Sequence, residues 1–146
     1  MGFVHENELA LTLISEDRDD DYWQLELRAS NGRVTVKQEL YAYREHFEPF
    51  ADALQRFGTR PSDTAILEIG KDSDNWAYFI RLRVFFYSLS GNAAIQVIAK
   101  NRSAEPYGQS AEFFLRTEVA TLNRLGKELV RWLNEPWSSF SWQERG

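Results

Sequence analysis

The sequence predicts an α+β fold: an antiparallel, twisted sheet of about six or seven strands in the order βββ-α-ββββ-α, with two amphipathic helices packed on one face. Three observations predict it. From Trp76 to Tyr87 a period-two reading puts Trp76, Tyr78, Ile80, Leu82, Val84 and Phe86 on one face, and Ala77, Phe79, Arg81, Arg83, Phe85 and Tyr87 on the other. A strand with one wholly apolar face belongs in a sheet packed on one side only. Asn31-Gly32, set between two alternating segments, is a hairpin signal because both residues tolerate positive φ. Two further stretches, Glu45 to Phe57 and Glu118 to Leu133, change to helical spacing.

Taken in order, Leu9 to Ile14 alternates weakly as a first strand, and the acidic segment Glu16 to Asp21 (EDRDDD) follows as a solvated loop. Tyr22 to Ala29 turns Trp23, Leu25 and Leu27 to one face, and the return strand Arg33 to Tyr41 places Val34, Val36 and Leu40 inward. Phe47, Phe50, Ala51, Leu54 and Phe57 then form a helical stripe. Pro49 implies that the regular helix begins near His46 to Glu48, since proline is tolerated in a first turn; Gly58 and Pro61 end it. Ala65 to Gly70 is a short strand, and Lys71 to Asn75 leads into the long one. Ala93 to Lys100 and Ser110 to Arg116 complete the strands, joined by a polar loop. Thr117 is the expected N-cap of a second helix with Val119, Leu122, Leu125, Gly126, Leu129, Trp132 and Leu133 as its stripe.

The chain reads as a single domain over 1–146, with residues 1–7 frayed and 134–146 an aromatic tail folded back on the body. Hydrophobic content of 43% with five Trp and ten Phe builds a core and excludes a disordered chain. A net charge of -5 argues against general nucleic-acid binding, which needs cations to displace counterions, and favours a basic partner. Without cysteine there is no disulfide, thiolate metal site or cysteine nucleophile. No stretch has the roughly 20 apolar residues of a membrane span, and the N-terminal residues lack the basic region of a signal peptide, so a cytoplasmic protein without membrane partners is expected.

Asp17, Asp19 and Asp21 have calcium-like spacing, but Tyr22 and Arg28 stand where such a loop needs glycine and a final carboxylate. No metal and no cofactor is therefore expected. His5 and His46 are too few for a triad or a histidine metal site, and no nucleophile elbow or phosphate loop is present. Glu68 and Glu112 are acids capable of acid–base work, but nothing in the sequence pairs them, so no catalytic residue is assigned.

What survives is the second face of the sheet, which should gather Glu68, Phe79, Arg81, Arg83, Phe85, Gln96, Glu112 and Arg116. Arginines among aromatics suit recognition, because guanidinium pairs carboxylates bidentately and stacks on rings. The same residues also fit a purely structural surface, with Glu68 and Glu112 neutralising the arginines across strands, or a homodimer interface.

EPFADALQRF, then ILEIG ahead of a long strand, and a closing FFLRTEVATLNRLGKELVRWL together resemble small bacterial proteins of unassigned function, including the WapI-like immunity proteins. The resemblance covers roughly residues 20–133. It implies a non-catalytic binding protein that neutralises a basic toxin by occlusion. Asp17, Asp19, Asp20 and Asp21 are then the candidate partner-binding loop. The alternative is a domain that binds a small anionic ligand on the Arg/aromatic face.

Overall fold

The computed structural model describes residues 6–17, 20–73 and 75–145, with the backbone alone at 145. Its elements are β1 (Glu6–Asp17), β2 (Tyr22–Ser30), β3 (Thr35–Tyr43), α1 (Arg44–Arg56), β4 (Ala65–Gly70), β5 (Tyr78–Phe86), β6 (Ala93–Asn101), β7 (Gln109–Thr117), α2 (Val119–Asn134) and β8 (Phe140–Arg145). The α+β class and the antiparallel pairing hold, but the single sheet does not. Among the described residues there are eight strands in two four-stranded sheets, ordered β3-β2-β1-β8 and β4-β5-β6-β7. Alternation reveals which face of a strand is buried and not which strand lies beside it. Here α1 separates two meanders that never pair, and the segment after α2 crosses back as β8 to pair with β1.

Several local expectations shift with this topology. Glu6 and Asn7 lie within β1, and Asn7 is buried. β1 also runs on to Asp17, so only the end of the acidic segment forms a turn. The Asn31-Gly32 hairpin forms as expected: Asn31 Oδ1 accepts from the N–H groups of Arg33 (2.9 Å) and Val34 (2.8 Å). The turn takes four residues, 31–34, rather than two, which leaves Val34 outside β3 and exposed. Helix α1 starts at Arg44, ahead of the point Pro49 suggested. Trp76 lies outside β5, exposed, with Lys71 Nζ 5.7 Å from its ring centroid. The N-cap of α2 is Glu118, while Thr117 is buried and donates its hydroxyl to Glu144 Oε2 at 2.6 Å.

Both sheets turn one face into a shared core with both helices. Trp132 of α2 meets Trp23 edge-on at 5.5 Å and Phe47 at 5.6 Å between ring centroids, a geometry that suits the ring quadrupoles. Where the layers join, Leu11, Leu40, Phe47, Ile80, Leu125 and Phe140 help enclose an apolar void of about 30 Å³. That holds about one water and offers it no polar partner.

The helices run against each other and satisfy each other's ends. Asn123 Nδ2 of α2 donates to the terminal carbonyls of α1, Leu54 O at 2.9 Å and Phe57 O at 3.0 Å. Arg44, the first residue of α1, donates to Leu133 O and to Asn134 Oδ1 at the end of α2. Carbonyls that a helix cannot pair internally are thus closed in both directions. Gly126 allows the approach: a Cβ there would lie 2.9 Å from Ala51 O and from Leu54 Cβ.

Polar side chains fasten one sheet to the other. Asn7 and Asn31 donate to Arg116 O and Phe114 O of β7. Gln38 donates to Lys100 O and Gln109 to Lys37 O, both at 2.8 Å. The Tyr78 hydroxyl accepts from the Tyr41 N–H and donates to the Tyr41 carbonyl. Each sheet is left with one outward face, and those two faces hold the candidate sites.

Candidate functional site: the outer face of β4–β7

In β5 the apolar set Ile80, Leu82 and Val84 is buried, which turns the opposite set outward. The register aligns the outer residues in rows. Glu68, Arg81, Ile98 and Glu112 form one row, and Ile66, Arg83, Gln96 and Phe114 the next. Phe85, Ala94 and Arg116 form a third. Seven of the eight residues expected to share this face therefore do so at the surface. The eighth, Phe79, is only 4% exposed, lying in register between Gly70 and Lys100. It is a buried anchor of the sheet rather than part of a contact surface.

One polar chain crosses the face. Arg83 Nε donates to Gln96 Oε1 at 2.8 Å, and Gln96 Nε2 donates to Glu112 Oε2 at 3.0 Å. Arg83 also lies over the Phe85 ring, 4.1 Å from its centroid, and Phe85 meets Phe114 edge-on at 6.1 Å. These contacts hold Arg83, Phe85 and Phe114 as one rigid group. The remaining charges are not neutralised in the way cross-strand pairing would have done. Glu68 stands opposite Arg81 in register, yet no ion pair joins them among the described residues, and none joins Arg116 to Glu112. Arg81 Nε is buried without a hydrogen-bond partner, which costs roughly 1–3 kcal/mol if nothing ever meets it.

Apolar groups surround these charges. Ile66 is 41% exposed and Phe114 45% exposed. The β5–β6 turn beyond Phe85 carries Tyr87, half exposed, and Leu89, fully exposed. The two acids do not assemble a catalytic pair. Glu68 and Glu112 sit on β4 and β7, three strand spacings apart, or about 14 Å.

The acidic loop is placed elsewhere, at the β1–β2 turn. Asp17 ends β1 opposite Tyr22, Asp20 and Asp21 are exposed in the turn, and Asp19 lies outside the described residues. Asp21 has φ +50° and its carbonyl accepts from the Arg44 N–H at 3.3 Å. Among the described residues no group of His, Asp and Glu is arranged to hold a metal ion.

Beside this turn lies a cluster that sequence reasoning missed. Tyr22, Tyr41 and Tyr43 all point outward from β2 and β3. Tyr22 is 5.9 Å from Tyr41 and 4.6 Å from Tyr43 between ring centroids, and Tyr43 is 6.0 Å from the His46 ring. The tyrosine phenol at 22 has its pKa raised, first by burial and then by the neighbouring tyrosines. The signal was present in the alternation, which sets each of the three tyrosines at an outward place. What it lacked was the register that sets Tyr22 against Tyr43.

Among the described residues no helix is long and apolar enough to cross a membrane. No protein-family model matches the chain, and no curated protein is significantly similar to it. Among solved structures it is similar to WHY3 from Arabidopsis thaliana, at 10% identity over 94% of this chain and 90% of that one, with a TM-score of 0.48. It is also similar to the plant transcriptional regulator PBF-2, at 11% identity over 92% and 81% of the two chains, with a TM-score of 0.45. Likeness at this level says nothing of what this chain binds.

Proposed function

We propose that this chain is a non-catalytic binding protein that captures a protein partner on the outer face of β4–β7, in the manner of an immunity protein occluding a toxin. The observation that carries the reading is Arg81: a guanidinium held on an open sheet face, its Nε buried and unpartnered, among exposed Ile66 and Phe114. Arginine and large aromatics are the residues enriched at interfaces and at their energetic centres. The rigid group of Arg83, Phe85 and Phe114 supports the same use, because it loses little side-chain entropy on docking. A net charge of -5 speeds the encounter of a basic partner, whose own carboxylates would then meet the unpaired arginines of this face.

Affinity capture of the tagged protein from its native cells tests the proposal. The wild type should retain a stoichiometric protein that Arg81→Glu and Phe114→Glu both lose, while Thr12→Glu on the outer side of β1 retains it. Retention by all three variants would sink the assignment of this face. If no protein depends on Arg81, the anionic small-molecule reading takes its place. A thermal shift with carboxylate and phosphate compounds that Arg81→Glu abolishes would then establish it.

A further inference from the structure

The tyrosine corner stands apart from the face just described, and its chemistry is different. Among the described residues, the side chains that line it are aromatic rings and carboxylates, with one cationic exception. Asp20, Asp21, Tyr43, Arg44, Glu45 and Glu48 line a shallow hollow beside the rings, and Glu39 stands next to Tyr41 on the same side of β3. The exception, Arg44, is already committed: its Nε donates to Glu48 Oε1 at 3.0 Å, and its other nitrogens close the end of α2. It neither covers the rings nor cancels the remaining carboxylates.

We infer that the Tyr22–Tyr41–Tyr43 corner, with Asp20, Asp21 and Glu45 beside it, is a seat for an arginine side chain presented by a basic protein partner. Ring faces attract a cation within about 6 Å of their centroids. A planar guanidinium stacks on them better than an ammonium does, and the carboxylates supply the hydrogen-bond acceptors that its edge requires. A plate sandwiched between two rings needs them about 7 Å apart, twice a van der Waals contact. The spacings of 5.9 Å and 4.6 Å are too narrow for that, so the cation sits on the solvent side of the cluster. Among the described residues the hollow presents four carboxylates and one cation, Arg44, already paired with Glu48, so charge complementarity selects a cationic occupant.

The test uses the whole chain and the acetylated, amidated peptide of four arginines, titrated at about 0.15 M salt, where distant charges are screened. Heteronuclear NMR should show amide shifts confined to residues 20–24 and 39–46. Tyr22→Leu with Tyr43→Leu, which keeps apolar area and removes two ring faces, should weaken binding about fivefold to tenfold. Tyr43→Leu alone, at the end of its strand, should give about half that loss on a logarithmic scale. Asp20→Asn with Asp21→Asn should weaken binding by a similar factor, and a four-lysine peptide should bind about threefold more weakly than the arginine one. Shifts centred away from these tyrosines, or equal binding by wild type and the leucine variants, would overturn the inference. None of these readings involves Arg81 or Phe114, so this site stands or falls separately from the β4–β7 face.

Discussion

The two outward sheet faces start from the same plan and are finished differently. On β1–β3 several polar side chains meet one another: Arg28 Nε pairs with Glu8 Oε1 at 2.7 Å, and Ser15, Gln24 and Glu39 form a hydrogen-bonded row. On β4–β7 one such row exists, Arg83–Gln96–Glu112, but among the described residues the side chains of Glu68, Arg81 and Arg116 have no partner, and two large apolar side chains stay in water beside them. Both sheets answer to the same core, so the core does not account for the difference. Away from the Tyr22–Tyr41–Tyr43 corner, the first exterior joins part of its polar set internally, as a face that serves only solubility can. The second carries mid-sheet an arginine whose Nε is buried and unpartnered, beside exposed Ile66 and Phe114, which lowers stability unless a partner meets them.

The largest effect expected from this difference is on capture. Arg81→Glu should cost at least about 30-fold in affinity for the partner, the loss of a central interface residue, while Arg28→Glu on the other face should stay within about twofold. Equal losses would erase the distinction. Asn123→Ala, which opens the α1 terminus under both sheets alike, should destabilise by about 1–3 kcal/mol in chemical denaturation. Because it belongs to neither face, it should leave affinity unchanged at temperatures where the variant is folded.

A subtler effect separates the faces by sign. Arg81→Met removes a buried, unpartnered Nε and keeps the stem, so it should raise stability by up to about 1 kcal/mol. Arg28→Met breaks a pair that is partly in solvent and should lower stability by a few tenths of a kcal/mol. Stabilisation at Arg81 together with lost capture would mark a residue kept for binding.

The smallest effect lies at the β8 edge. The Glu144 carboxyl is pushed above its usual range, first by burial and then by Glu118, against the opposing hydrogen bond from Thr117. A raised folded-state value adds stability below the unfolded value and loses it as pH rises through the folded one. Wild type should therefore lose a little stability above that point. Glu144→Gln should not, and the two melting curves should converge below about pH 4.

How much of this was legible in the sequence follows from what alternation encodes. Period two in β5 correctly separated Ile80, Leu82 and Val84 from Arg81, Arg83 and Phe85, because the pleat alone decides it. It misjudged Phe79 and Trp76, since burial near a strand end depends on neighbouring strands and on where the strand begins. The helical stripes were readable, but the partner of each helix end was not. Asn123 and Arg44 act across 66 and 89 residues of chain. The missing strand β8 and the division into two sheets have the same origin, for pairing is a long-range choice that local pattern leaves open. Charge pairing was equally hidden. The sequence allowed Glu68 to neutralise Arg81, and side-chain geometry, rather than composition, leaves them apart.

The most direct test of the β4–β7 assignment is photo-cross-linking from single positions on the two faces. A photoreactive phenylalanine analogue is placed at Phe114, or at Thr12 as the matched position on β1, and irradiated in the native cells. Docking on β4–β7 predicts one discrete adduct with a basic protein from position 114 and none from position 12, with the adduct suppressed by Arg81→Glu. An adduct from position 12 alone, or equal adducts from both that ignore Arg81, would contradict it.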